Sequence, residues 1–248
     1  MECKISKKAF NCQETTIVKV KEQSADQQNL QIIEKIVLGL TSTVNRRDEN
    51  TGEHSYRVGN LARKFGQYLG CQEQDIHYLN WGGFLHDIGK IDIPDQILLK
   101  PGKLTKNEYS VMQKHPMLGV EICQNFPILN PLLPMIRHHH ERWDGSGYPD
   151  GIERDAIDHL VQIIQVVDIY DALTNARSYK RAFSQKESLD ILHNNTAKGK
   201  HNREIIKAFN HFLAKKPHSI PDYFFLLPKQ KESSISIKPM TKINLQTY

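Results

Sequence analysis

The run Gly83-Phe84-Leu85-His86-Asp87-Ile88-Gly89-Lys90 sets an imidazole, a carboxylate and an ammonium inside an apolar stretch. At helical spacing Ile76, Leu79, Gly83 and His86 share one stripe, with Asp87 and Lys90 beside its end. Such a stripe normally faces a core. A carboxylate ionised there costs several kcal/mol unless a counter-charge or a metal meets it. The chain must therefore fold so that partners for this pair arrive from elsewhere.

The remaining pattern is helical. Leu30, Ile33, Ile36, Val37, Leu40 and Val44 have helical period, and the polar stretch 45–50 reads as a turn. Thr51 is expected to cap a second helix that buries Val58, Leu61, Ala62, Phe65 and Leu69, carries His54 on the same face and stops at Gly70. A third helix runs from about Glu73 into the His86-Asp87 pair. The stretch from Ile91 to Leu104, with Pro94, Pro101 and Gly102, reads as a loop. Thr105-Lys106-Asn107-Glu108 has capping-box form and launches a helix with Val111, Met112, His115, Leu118 and Ile122 inward, bent or restarted at Pro116. Leu132, Leu133, Ile136, His139 and His140 share a further stripe. Residues 143–151 form a glycine-rich loop whose backbone can approach a ligand closely. A later helix carries Leu160, Ile164, Val167, Asp168 and Asp171, and two more follow. No repeat and no sheet is read, so the expected class is all-α, with a short arm over 1–28, a catalytic unit over 29–215 and a tail over 216–248.

Composition excludes several classes. Hydrophobic residues make up 39% of the 248 and charged residues 25%, as in a soluble globular protein, and no apolar run approaches the roughly 20 residues of a membrane helix. The formal charge of +5 suits an anionic ligand without requiring one and does not point to nucleic acid. Cys3, Cys12, Cys71 and Cys123 form no C-x-x-C pair, so a reduced, cytoplasmic setting is expected and a thiolate zinc site is not.

Collected from separate helices, the inward ionisable groups are His54, His86, Asp87, His115, His139, His140 and Asp168. One such histidine is commonly a hydrogen-bonded core residue. Seven such groups need seven partners, and shared cations supply them at once. Imidazoles and carboxylates without sulfur suit a pair of iron or manganese ions, and zinc or nickel less specifically, with Asp87 or Asp168 able to bridge. Two ions about 4 Å apart activate a shared water and stabilise in-line displacement at phosphorus. Lys90 stands at the edge, able to hold a phosphate oxygen or protonate the departing one. Asp171, near Asp168 on the same helix, is placed to orient a ligand histidine, and Arg177 and Lys180 to reach phosphates.

With these residues in order, the chain resembles the HD-GYP subgroup of the HD metallophosphohydrolases over roughly Leu30 to Phe209. The similarity is carried by residues 51–58, 85–91, 97–105, His115-Pro116, 139–149 and 167–174. It implies an all-α HD-domain bundle with two divalent ions, iron or manganese, among the helices on the same seven ligands. It also implies hydrolysis of cyclic di-GMP, with Lys90, Asp87 and Asp171 in the catalytic machinery, Gly147, Tyr148 and Pro149 bordering the substrate, and Arg177 and Lys180 on its phosphates. Alternatives are a docking module for diguanylate cyclase (GGDEF) proteins, oligomeric or not, and a phosphodiesterase for another cyclic dinucleotide. Asn50 stands where some members carry a glutamate that helps bind a third metal, so a two-metal site releasing linear pGpG is expected. Gln162 replaces a frequent arginine, and His201-Asn202-Arg203 replaces a Phe-Asp-Pro motif.

Overall fold

The computed structural model describes residues 28–175 and 181–215, and among them every regular element is a helix. The expected arm (all but its last residue), the tail over 216–248, Arg177 and Lys180 lie outside the described residues. Among those described, no helix is long and apolar enough to cross a membrane.

Helix α1 covers 28–47, and the break to α2 (Glu49–Leu69) is Asp48 alone, with φ −141° and ψ 99°. Asp48, not Thr51, caps α2: its carboxylate accepts the N–H of Asn50 and the hydroxyl of Thr51. A carboxylate with two oxygens serves both donors, so the anticipated turn over 45–50 shrinks to one residue. Gly70, at φ 75°, closes α2 as expected.

Helix α3 (Glu73–Leu85) packs along α2. A Cβ on Gly83 would overlap the backbone of Gly59, so the two helices cross nearly backbone to backbone. That approach brings the rings of His54 and His86 to 5.3 Å. The loop expected over 91–104 is partly regular, with a 3-10 turn at Ile88–Asp92 and a short helix α4 at Asp95–Leu98. Gly89 lies against the His115 carbonyl and Gly119, which sets the turn directly on α6 (His115–Cys123).

The single helix expected from Thr105 through Ile122 is two. Helix α5 (Lys106–Met112) has the capping box, with Thr105 and Glu108 bonded reciprocally, but it buries no residue. Helix α6 restarts because Pro116 suits a first helical turn, where no N–H is needed. Likewise α7 (Leu133–His138) ends before the two histidines expected within it, which follow it in a turn.

Helix α8 (His159–Thr174) runs through the middle, burying Leu160, Val161, Ile163, Ile164, Val166 and Val167 and touching α2, α3, α7 and the last two helices, α9 (Gln185–Ala197) and α10 (Arg203–Ala214). Phe209 and Phe212 of α10 pack on Phe65 of α2 at 5.0 and 5.3 Å.

Two positions where the sequence departs from the pattern it resembles meet in space. Asn202 caps α10 through its side-chain oxygen, and its amide donates to Gln162 Oε1 at 2.9 Å, while Gln162 donates to the Ile157 carbonyl. A neutral amide pair thus ties the start of α8 to the start of α10. Replacing Asn202 with alanine removes the cap and leaves buried Gln162 Oε1 without its donor, an expected loss of about 1–3 kcal/mol by chemical denaturation. Replacing it with aspartate keeps the cap but not the amide donor, and is expected to recover only part of that loss.

Candidate metal centre

His86 follows the last residue of α3, and its Nδ1 lies 2.7 Å from the Gly83 carbonyl. His115 Nδ1 meets the Met112 carbonyl at 2.7 Å and His139 Nδ1 meets the Ile136 carbonyl at 2.9 Å. A carbonyl only accepts, so each Nδ1 carries a proton, and in the neutral ring Nε2 keeps its lone pair. All three Nε2 atoms gather around the carboxylate of Asp87. His115 Nε2 and His139 Nε2 stand 3.1 Å apart, and His115 Nε2 is 3.2 Å from Asp87 Oδ1. His86 Nε2 is 3.3 Å from Asp87 Oδ2 and has no hydrogen-bond partner.

His54, from α2, completes a second arc. Its Nδ1 donates to Asp171 Oδ2 at 2.7 Å, and its Nε2 faces Asp168 Oδ1 at 3.0 Å and Asp87 Oδ2 at 3.9 Å. His140 packs its ring 4.1 Å from that of His139. The ligand-capable atoms fall into two groups that share Asp87: His54, His86 and Asp87, and Asp87, His115, His139 and His140. All but His140 in these groups are buried.

Lone pairs facing lone pairs and carboxylates in a buried site repel unless something positive sits among them. Divalent cations fit this donor set: imidazole Nε2 atoms with their other nitrogen already anchored, and carboxylates without sulfur. The electrostatics show carboxylates that draw positive charge into the site, with His54 taking it up. Burial opposes charge on His54, but Asp168, Asp171 and Asp87 outweigh it and raise its pKa to about 9. Burial and neighbouring His115 push His140 down to about 3, and burial with its imidazole neighbours holds His139 well below the ordinary value. Burial works against ionising Asp87 and Asp168, yet Lys90 and His86 around the first, and His54 around the second, keep both carboxyls well below the usual range. The carboxylates are thus charged, and two imidazoles are held neutral as ligands require.

Lys90 donates to Asp87 Oδ2 at 2.6 Å. Asp171 is gripped from behind: Arg57 Nε and Nη2 donate to its two oxygens at 2.8 and 3.0 Å, and Asn175 Nδ2 adds a bond at 2.9 Å. Tyr148 leans on His140 at 4.8 Å between ring centres. Its loop is held by buried Glu141, whose Oε1 accepts the N–H groups of Asp150 and Gly151 at 2.6 and 2.9 Å. Gly147 lies so close to Glu141 and Arg142 that no Cβ fits. Gln165 donates to the carbonyls of His138 and Glu141, fixing the turn that carries His139 and His140. Thus His54, His86, Asp87, His115, His139, His140, Asp168, Asp171, Lys90, Gly147, Tyr148 and Pro149 fall in or beside one site. Arg57 and Glu141 stood inside the motifs of the resemblance without an assigned function, and Gln165 was not singled out. Arg57 stands three residues after His54, and that one-turn spacing was the available signal.

A family model described as the HD domain matches residues 40–205, about two thirds of the chain. The chain belongs to the HD domain family. It is 41% identical over 157 residues to the cyclic di-GMP phosphodiesterase response regulator RpfG of Xanthomonas campestris, covering 62% of this chain and 41% of that one. It is 36% identical over 169 residues to the 3'3'-cGAMP-specific phosphodiesterase 2 of Vibrio cholerae, covering 67% and 32%. The chain spans less than half the length of these two relatives. Among solved structures, the HD domain of the L. monocytogenes phosphodiesterase PgpH in complex with cyclic-di-AMP superimposes with a TM-score of 0.55 at 18% identity, covering 76% of this chain and 99% of that one. That likeness is one of fold.

Proposed function

We propose that this HD domain is a metal-dependent phosphodiesterase that opens cyclic di-GMP to linear pGpG. The observation that carries the reading is the convergence of Nε2 atoms on the shared carboxylate of Asp87. The named activity of the 41% identical relative supports the substrate. His54, His86, Asp87 and Asp168 would hold one divalent ion and Asp87, His115, His139 and His140 the other, iron or manganese in each. Such a pair supplies Lewis acidity that makes water nucleophilic near neutral pH and offsets charge at phosphorus.

The chain's own residues do the rest. Water adds its oxygen to phosphorus, one ester P–O bond breaks, and the departing 3'-oxygen takes a proton. Lys90, four-fifths buried at the edge of the site, is the group positioned to deliver that proton or to hold a phosphoryl oxygen. Asp171 keeps His54 in the tautomer that offers Nε2 inward. The Gly147-Tyr148-Pro149 loop, held by Glu141, walls one side of the substrate, and Arg177 and Lys180 are assigned to its phosphates. The unpaired Cys71 and Cys123 suit a reducing, cytoplasmic compartment.

Protein purified without oxygen and loaded with iron or manganese is expected to carry two ions per chain and to convert cyclic di-GMP to pGpG, read by elemental analysis and chromatography. Chelation is expected to abolish turnover and lower the melting temperature, since the bound ions stabilise the folded state. Metal-loaded protein that leaves cyclic di-GMP intact refutes the reading. Three ions, or GMP as the prompt first product, refutes its two-metal form.

A further inference from the structure

Helix α5 buries none of its seven residues, so the core does not account for its order. It is pinned instead from one side. Glu108 closes the capping box with Thr105 and takes both its oxygens to Lys100 Nζ, at 2.9 and 2.7 Å. With Glu108 so engaged, the next residue, Tyr109, is held out with 48% of its surface exposed. Its side chain lies beside that of Tyr148, whose own ring leans on His140 of the candidate metal centre. Two aromatic rings therefore step outward from the ligands to solvent.

Below Tyr109 lies an open groove of about 460 Å³ lined by Gly102, Lys103, Leu104, Thr105 and Lys106. That volume lies in the range of small-molecule sites. Neither Lys103 nor Lys106 has an ion-pair partner among the described residues, and the nearby carboxylate of Glu108 is already committed to Lys100. An exposed aromatic face beside two unneutralised ammonium groups, linked to a phosphodiester-cleaving centre, matches a nucleotide.

We propose that Tyr109, Lys103 and Lys106 form a subsite for one nucleotide half of the substrate. The base stacks on Tyr109, and the two lysines set positive charge along that half of the substrate. The proposal rests on the phosphodiesterase reading for the reaction, while nucleotide binding at the groove can be measured without turnover.

The test uses the full chain in two states. In the manganese-loaded state, Tyr109→Ala is expected to raise KM for cyclic di-GMP roughly tenfold, the size of one lost base-stacking contact, with kcat within twofold. Tyr109→Phe keeps the ring and is expected to match the parent. Lys103→Ala with Lys106→Ala is expected to raise KM to a similar degree and to flatten its dependence on salt. In the metal-stripped state, titration calorimetry with cyclic di-GMP is expected to show the same order of dissociation constants. KM and Kd within twofold of the parent in both Tyr109→Ala and the double lysine variant overturn the subsite. So does a loss in Tyr109→Phe as large as in Tyr109→Ala, which would assign the effect to the Tyr148 contact. A parent that binds but does not cleave, with binding weakened tenfold in Tyr109→Ala, refutes the phosphodiesterase reading and leaves the subsite standing.

Discussion

Replacing Asp87 with asparagine is expected to leave the purified protein essentially free of metal and to lower hydrolysis of cyclic di-GMP by about a thousandfold or more. The substitution preserves shape and removes one charge. Asp87 is the residue common to both candidate ligand groups, and its two oxygens lie within 3.2–3.9 Å of Nε2 atoms from His54, His86, His115 and His139. An amide neither neutralises a dication nor bridges two of them. It also frees Lys90, whose ammonium is 2.6 Å from Asp87 Oδ2 and would lose its counter-charge. Because Lys90 and the imidazoles outweigh the desolvation of this carboxylate, removing its charge is expected to leave the metal-free variant folded but with a melting temperature below that of chelated parent. Elemental analysis beside circular dichroism reads both outcomes. Undiminished metal content in the Asp87→Asn variant would show that the shared carboxylate does not hold the ions.

Replacing Arg57 with alanine is expected to weaken metal binding by about 10- to 100-fold although Arg57 touches no ligand-capable nitrogen. It acts through Asp171: its forked bonds at 2.8 and 3.0 Å fix both carboxylate oxygens, and one of these holds His54 Nδ1. Without the fork, Asp171 keeps the bond from Asn175 and can turn, so His54 no longer presents Nε2 in one orientation. Lysine restores the charge but not the two-pronged geometry, so Arg57→Lys is expected to recover only part of the affinity. Competition with a graded series of chelators measures the affinity, and the melting temperature of metal-free protein separates positioning from general destabilisation. Equal losses in metal-free stability and in affinity, with no rescue by lysine, would reduce Arg57 to a packing role.

The residues of the candidate centre were legible as buried ionisable groups because each obeys a local rule. His54 follows the spacing of α2, Asp168 that of α8, and His86 and Asp87 close the stripe of α3. Burial of a charge on an apolar stripe is a conflict visible in one dimension, and desolvation cost alone demands a counter-charge for it. His139 and His140 were found for a partly mistaken reason. They follow α7 rather than continuing it, and their placement depends on Gln165 and Glu141. Element ends were less legible: one carboxylate, Asp48, caps α2 where a hydroxyl was expected, and the restart at Pro116 splits one anticipated helix into two.

Residue types and their period were enough to specify an all-helical chain with a set of imidazoles and carboxylates that no apolar core tolerates unpaired. Which of them face one another, which nitrogen of each ring is free, and that Arg57 stands behind Asp171 came only with the packing of α2, α3, α6 and α8. The reason is physical. Period along a helix is set by local backbone geometry, whereas the meeting of His115 with Asp87 depends on Gly89 and Gly119 letting two distant segments touch, a contact with no local signature.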